Sequence, residues 1–280
     1  MTLNEVFASG LAALQAAGIA DADFDCACLF EDVFHLKKTA LLLAADRQAD
    51  AAAVSAFDEK IRARAAGRPL QYILGTWDFY DMSFLVGEGV LIPRPETETL
   101  VETALELMRG RQGLQVFDLC TGSGCIGLTL AAKRPDCRFY LIDISADALR
   151  YAEKNRARYG LENVTILRGD IRRGFTHWQN CAAPDMILSN PPYIAAAELP
   201  FLQSEVQREP SLALDGGADG LDFYRVIAEH WLPHLKKDGF AMVECGEAQA
   251  TRIAAMFAAV RGNARISRDV FGVERFVSCH

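Results

Sequence analysis

Over the first seventy residues, apolar positions recur every three or four. Leu3, Phe7, Leu11 and Leu14 fall on one helical face, and the helix opens on Thr2-Leu3-Asn4-Glu5, where hydroxyl and carboxylate can cap each other's backbone N–H. The same spacing predicts helices over 23–35, 39–46 and 50–66, so residues 1–70 read as a small helical bundle. The pattern then changes. From Gln71-Tyr72-Ile73-Leu74 to Phe84-Leu85-Val86 the chain is aromatic and β-branched, broken by Gly75, Gly87 and Gly89, which predicts the strands of a hairpin and makes 71–96 a linker. From 97 to 280 helical stretches alternate with short apolar runs at Gln115–Leu119, Arg138–Ile142, Val164–Leu167, Asp185–Leu188 and Phe240–Glu244. Runs of this kind suit strands buried on both faces. Ala264–Ser267 and Arg275–Ser278, around the turn-like Phe271-Gly272, read as a hairpin closing the sheet edge. The expectation is an α/β fold with a doubly wound, mainly parallel, seven-stranded sheet and a small N-terminal helical domain.

The loop after the first strand of that sheet carries a ligand signature. Asp118-Leu119-Cys120-Thr121-Gly122-Ser123-Gly124-Cys125-Ile126-Gly127 places Gly122, Gly124 and Gly127 between strand and helix, where small residues let backbone approach a nucleoside-bearing cofactor and let helix pack on strand. Asp143 ends the second strand sixteen residues past Gly127, where a carboxylate can accept both ribose hydroxyl hydrogens. The competing reading is that Asp118 and Asp143 only cap helices. These features fit a nicotinamide dehydrogenase as well as an S-adenosylmethionine (AdoMet) methyltransferase.

Ser189-Asn190-Pro191-Pro192-Tyr193-Ile194, which follows the run Met186-Ile187-Leu188, separates the two. An amide or exocyclic-amine nitrogen delocalises its lone pair and is a poor nucleophile. If the Asn190 side-chain oxygen and a main-chain carbonyl of the proline pair accept its two hydrogens, the lone pair is aimed out of plane and the growing positive charge is stabilised. The prolines stiffen the corner and bring no N–H of their own, and Tyr193 can stack on the planar group. A rigid surface turn is the alternative. Asn190, Pro191 and Tyr193 are therefore the catalytic candidates, with Pro192 joining them in substrate binding.

Composition narrows the field. The chain is 51% hydrophobic with eight cysteines and a net charge of -8. It lacks an apolar run of membrane-spanning length, and Met1-Thr2-Leu3-Asn4-Glu5 does not open a secretory signal, so a cytoplasmic protein with free thiols is expected. No metal is expected: Cys26-Ala27-Cys28 has the wrong spacing, and His230 and His234 are separated by Pro233 and lack a third ligand. The acidic balance disfavours tight, unassisted nucleic-acid binding, because that affinity comes mainly from cations displacing counterions. It therefore weighs against an adenine methyltransferase, for which an exocyclic amine poses the same chemical problem. A non-catalytic AdoMet sensor would leave the Asn-Pro-Pro-Tyr corner without purpose.

Asn190–Tyr193, the Asp118–Gly124 loop, Ile92-Pro93-Arg94-Pro95-Glu96-Thr97-Glu98, Glu209-Pro210-Ser211-Leu212-Ala213-Leu214-Asp215-Gly216-Gly217, and Arg268-Asp269 with Gly272 closely resemble the peptide chain release factor glutamine methyltransferases, the PrmC/HemK family. The resemblance runs over nearly the whole length. It implies a class I, Rossmann-like AdoMet methyltransferase acting on the side-chain amide of the glutamine in the Gly-Gly-Gln loop of class I release factors, with residues 1–70 recognising the protein substrate. By motif, Asp118, Leu119, Cys120, Thr121, Gly122, Gly124, Asp143 and Asn190 would hold the cofactor, Asp170 and Ile171 would lie at its adenine, and Asn190–Tyr193 would hold the glutamine. Cys120 stands where a glycine is common, and Ile171 where an aromatic sometimes covers the adenine. Arg94, Glu96 and Glu98 divide between local capping and shaping the mouth of the site. Asp215–Gly220 resembles a phosphate or calcium loop but lacks the further spaced ligands and reads as a lid or helix lead-in.

Overall fold

The computed structural model describes residues 1–178 and 181–280. They form two compact units, Met1–Thr76 with Gln203–Arg208, and Trp77–Leu202 with Glu209–His280.

The first unit is helical: α1 (Leu3–Ala16), α2 (Ala22–Phe34), α3 (Lys38–Ala44), α4 (Ala51–Ala65) and the short α5 (Leu70–Leu74). The reciprocal cap on α1 forms, with Glu5 N–H donating to Thr2 Oγ1 at 3.2 Å and Thr2 N–H to Glu5 Oε2 at 2.9 Å. Asp50 Oδ1 caps α4 by accepting from the N–H groups of Ala52 and Ala53, both at 3.0 Å. Phe30 packs edge-on against Phe7 and Phe57, with ring centroids 5.5 and 5.7 Å apart. Gly10 permits the close approach of α1 and α4, because a Cβ there would stand 2.6 Å from the Phe57 ring. Beside this core lies a buried ion pair. Arg64 Nε donates to Asp25 Oδ2 at 2.6 Å, and Arg64 Nη2 also bonds Glu205 of the 203–208 segment.

Residues 71–74 correct the expected strand. They belong to α5, which follows Pro69 and ends on Gly75 at φ +77°. A four-residue apolar run does not reveal its own period, and the turn geometry of Pro69 and Gly75 decides for a helix. The hairpin is shorter than expected, consisting of β1 (Thr76–Phe79) and β2 (Met82–Leu85).

The second unit continues with α6 (Glu98–Leu107), β3 (Gln115–Leu119), α7 (Cys125–Lys133), β4 (Arg138–Asp143), α8 (Ala146–Arg158), β5 (Val164–Arg168), β6 (Met186–Ser189), α9 (Asp222–His230), β7 (Phe240–Glu244), α10 (Ala250–Arg261), β8 (Arg265–Arg268) and β9 (Glu274–Cys279). Its seven-stranded sheet has the order β5-β4-β3-β6-β7-β9-β8, parallel except where β9 pairs antiparallel with β7 and β8. Alternate strand residues feed two cores. Val116, Leu141, Leu188 and Met242 enter one, while Phe117, Ile142, Ile187 and Val243 enter the other. That two-sided burial explains the near-continuous apolar runs. After β3 the chain winds outward through β4 and β5, then returns to lay β6 on the opposite side of β3. A crevice opens at the carboxyl ends of β3, β4 and β6, as expected where strand order reverses.

Candidate active site

A cavity of about 440 Å³ occupies that crevice. Its size suits a small-molecule site. Cys120, Thr121, Gly122, Asp143, Asp170, Ile171, Asn190 and Pro192 all line it, so the fold gathers sequence candidates from four loops. Asp118, Leu119, Gly124, Pro191 and Tyr193 are not among its lining residues.

Backbone geometry shapes the glycine loop. Gly122 and Gly124 have φ of +59° and +83°. At Gly122 an added Cβ would meet only Val90, at 4.0 Å, so a side chain there would project into open space that the glycine leaves clear. At Gly127 a Cβ would stand 2.6 Å from Leu141 and 3.0 Å from Asp118 Oδ2, which accounts for glycine as a packing requirement. Cys120 has φ +58°, the left-handed conformation for which glycine is the usual residue.

The two aspartates differ. Asp118 is buried beneath the loop, where its Oδ2 accepts from Thr121 Oγ1 at 2.5 Å and from Gly127 N–H at 3.0 Å, while its Oδ1 is unpartnered. Burial pushes its carboxyl up to about 7. It serves the loop from behind. Asp143 faces the cavity, with Oδ2 accepting from Gly122 N–H at 2.9 Å and Oδ1 from Ser145 N–H at 2.8 Å. Burial raises this carboxyl as well. Each oxygen keeps a lone pair for a further donor.

Asn190 follows β6 at the centre of the wall. Ser189 Oγ donates to Leu119 O at 2.6 Å, tying the end of β6 to the end of β3. The Asn190 side-chain Nδ2 donates to Thr97 Oγ1 at 3.2 Å, and Thr97 Oγ1 donates to Glu244 Oε2 at 2.5 Å. Beyond Asn190 the corner is braced by the 214–220 loop. Ile194 N–H donates to Leu214 O at 2.9 Å, Gly216 N–H to Ile194 O at 2.8 Å, and Ala196 N–H to Gly217 O at 2.9 Å. A Cβ on Gly216 would stand 2.8 Å from Pro192 O, and one on Gly220 only 2.3 Å from Tyr193 O. These glycines admit backbone against backbone and lead into α9. The Tyr193 side chain packs against the apolar cluster beneath the loop, and burial raises its phenol to about 12. Glu98 Oε1 accepts from Tyr80 N–H at 2.8 Å, so it serves the hairpin, while Arg94 lines the cavity and bonds the buried Glu209. Glu209 Oε2 also accepts from Ile92 N–H at 3.0 Å. Thr97, Glu209 and Glu244 were given no role from sequence, although Thr97 and Glu209 stand in the Ile92–Glu98 and Glu209–Gly217 stretches and Glu244 is an acid ending an apolar strand on the ligand side of the sheet.

Comparison with known proteins gives the family. Residues 5–75 match the PrmC N-terminal domain and residues 111–257 a methyltransferase domain. The release factor glutamine methyltransferase of Moorella thermoacetica is 36% identical over 98% of this chain and 97% of its own length, and that of Rhodospirillum rubrum is 38% identical over 98% and 84%. The chain belongs to the release factor glutamine methyltransferase family. It is an S-adenosyl-L-methionine-dependent methyltransferase. The second unit has the class I methyltransferase fold, and among solved structures the hMettl16 catalytic domain superposes with a TM-score of 0.56 at 15% identity, covering 79% of this chain and 81% of that one. Among the described residues no group of three or more His, Cys, Asp or Glu side chains could hold a metal ion, and no helix is long and apolar enough to cross a membrane.

Proposed function

We propose that this protein transfers a methyl group from S-adenosyl-L-methionine to the side-chain amide nitrogen of the glutamine in the Gly-Gly-Gln loop of class I release factors, and so modulates translation termination. The observation that carries the reading is that Asn190 and Pro192 line the same cavity as Asp143 and the Gly122 turn. The residues fit the cofactor. Asp143 offers acceptors to ribose hydroxyls, the backbone of Thr121 and Gly122 is open to close approach, and Asp170 and Ile171 form the wall assigned to adenine. When bound, the cofactor supplies an electrophilic methyl on a sulfonium.

Asn190 then does the orienting work. Its Oδ1 and a main-chain carbonyl of the proline pair accept the two amide hydrogens, turn the nitrogen lone pair out of plane and stabilise charge growing on nitrogen. Asp118, Leu119 and Gly124 support the cofactor loop from beneath. Tyr193, given its position off the cavity wall, takes the part of a brace for the corner in place of the stacking platform expected from sequence. Residues 1–70 are assigned to recognition of the release factor body, since a glutamine side chain alone offers little to discriminate. The net charge of -8 supports a protein partner and no direct nucleic-acid binding. The cytoplasm, where termination occurs, is the expected location.

The test is incubation of the full chain with methyl-labelled AdoMet and a class I release factor, its Gln→Ala variant in the Gly-Gly-Gln loop, or duplex DNA. One added methyl on the glutamine-bearing peptide, absent from the variant and from DNA, is expected. Label on DNA, or on the variant factor at the same rate, would overturn the reading.

A further inference from the structure

Thr97 ends a 3-10 turn, Pro95–Thr97, that runs directly into α6, and with helical φ and ψ of -64° and -19° its hydroxyl makes no cap. It is buried, at 2% exposure, and donates to Glu244 Oε2 at 2.5 Å while accepting from Asn190 Nδ2 at 3.2 Å. The three residues come from separate parts of the chain and are assembled by the sheet. β6 and β7 are parallel neighbours with Ser189 opposite Val243, so Asn190 and Glu244 leave the sheet side by side, and the start of α6 lies against both.

Glu244 is an unusual group to find there. Its side chain is buried, and burial pushes its carboxyl up to about 7. Arg275 on the adjoining β9 directs its guanidinium to Asp269 at 3.3 Å and to Cys245 O at 3.4 Å, and Arg94 bonds Glu209. Among the described residues, the carboxylate accepts its hydrogen bond from the Thr97 hydroxyl. An acid buried in this way costs stability and would be replaced without loss by an apolar side chain if packing were its whole role.

Hydrogen-bond direction supplies a role. While ionised, the Glu244 carboxylate can only accept, and Thr97 then gives it its single proton. The lone pairs left on Thr97 Oγ1 can then meet only a donor. Asn190, whose amide has a donor end and an acceptor end of nearly the same shape, is thereby made to turn Nδ2 toward Thr97 and Oδ1 toward the cavity that it lines. A flipped amide would aim N–H at a substrate N–H and could not orient it. Threonine suits the task because its branched Cβ restricts rotation of the hydroxyl.

We propose that Thr97 and Glu244 are positioning residues that lock the side-chain amide of Asn190 in the orientation presenting its oxygen to the substrate nitrogen. The proposal rests on the reading of Asn190 as the acceptor for the substrate amide. Thr97 lies on the cavity wall beside Asn190, and Glu244 is not among the lining residues. Thr97 acts through Asn190, and Glu244 acts through Thr97.

The experiment uses the full chain with a class I release factor and saturating AdoMet in single turnover, together with calorimetry of AdoMet binding. Thr97→Val, which keeps shape and loses the hydroxyl, should slow methyl transfer by about 10- to 100-fold, less than outright loss of a transition-state hydrogen bond. AdoMet affinity should stay within about threefold, well under a 1.4 kcal/mol change, and Thr97→Ser should restore most of the rate. Glu244→Met frees the hydroxyl to donate to Asn190 and should slow transfer to a similar degree. In an Asn190→Ala background, Thr97→Val should change the residual rate by less than about twofold, because there is no amide left to orient. A second readout needs no substrate. In ligand-free protein labelled with ¹⁵N-asparagine, the Asn190 side-chain amide resonances, assigned by their loss in Asn190→Ala, should shift in Thr97→Val and return in Thr97→Ser. The inference is overturned if Thr97→Val transfers at the wild-type rate, or slows the Asn190→Ala protein as much as the wild type. Failure of the wild-type chain to methylate the release factor would instead overturn the functional reading, and the unshifted or shifted amide resonances would still decide the locking.

Discussion

Asp143→Asn is a change of one atom that the site geometry makes severe. Both oxygens of Asp143 are engaged, Oδ2 by Gly122 N–H at 2.9 Å and Oδ1 by Ser145 N–H at 2.8 Å. An asparagine in the same rotamer meets one of these donors with its NH₂ group, so a backbone N–H is left facing another donor. An unsatisfied group of that kind costs about 1–3 kcal/mol. The ligand-free protein recovers part of this by no longer burying a charge, since burial already raises the Asp143 carboxyl. Binding recovers nothing. Under the proposed reading the ribose hydroxyls lose a charged acceptor, worth about 1.5–3 kcal/mol, and the Gly122 turn that meets the cofactor loses an anchor. At about 1.4 kcal/mol per tenfold, AdoMet affinity should fall by about 10- to 100-fold, with Asp143→Ala no worse than Asp143→Asn by more than a few-fold. Titration calorimetry with AdoMet, alongside thermal melts of the ligand-free variants, measures both quantities. Wild-type affinity in Asp143→Asn would refute the reasoning, because it would mean that the carboxylate only caps the helix after β4.

Asn190→Ala should lower turnover by ~10²–10³ while AdoMet affinity changes by less than about tenfold; single-turnover transfer at the wild-type rate would reduce the Asn-Pro-Pro-Tyr corner to a turn. Asp118, whose carboxyl is raised by burial from 3.8 to about 7, contributes stability that is present below about pH 4 and lost as pH rises toward 7. Denaturant unfolding at pH 5 and pH 8 should therefore show Asp118→Asn gaining stability relative to wild type at the higher pH, and an equal difference at both values would count against a buried charge there. In the helical unit, Arg64→Ala leaves Asp25 buried without its 2.6 Å partner and should cost about 3–5 kcal/mol. Replacing the pair together, Arg64→Met with Asp25→Leu, should restore most of that loss in the same unfolding measurement.

The glycine loop, Asp143 and the Asn-Pro-Pro-Tyr corner were legible in the sequence because each is local: a few consecutive residues carry both the backbone geometry and the chemistry. The strands from Gln115 to Glu244 were equally plain, since burial on both faces of a parallel sheet demands continuous apolar runs. Locality failed at Leu70–Leu74, where β-branched and aromatic content suggested a strand and Pro69 with Gly75 made a turn of helix. Tyr193, which the motif assigned to the substrate, packs against the apolar cluster and is not among the cavity's lining residues.

What the sequence by itself determined is therefore most of the elements, the doubly wound, mainly parallel sheet and the candidate residues at the ends of three strands, all properties of short segments and their hydrophobic period. What only the tertiary structure decided is how the side chains behind those segments are oriented. Thr97 and Asn190 are 93 residues apart, and Thr97 and Glu244 are 147 apart. Nothing in their local sequence links them, because the link is made by parallel strand register and by a helix start laid across it. The direction of their hydrogen bonds, with Asn190 Nδ2 donating to Thr97 and Thr97 to Glu244, follows from a buried carboxylate that accepts and, while ionised, cannot donate.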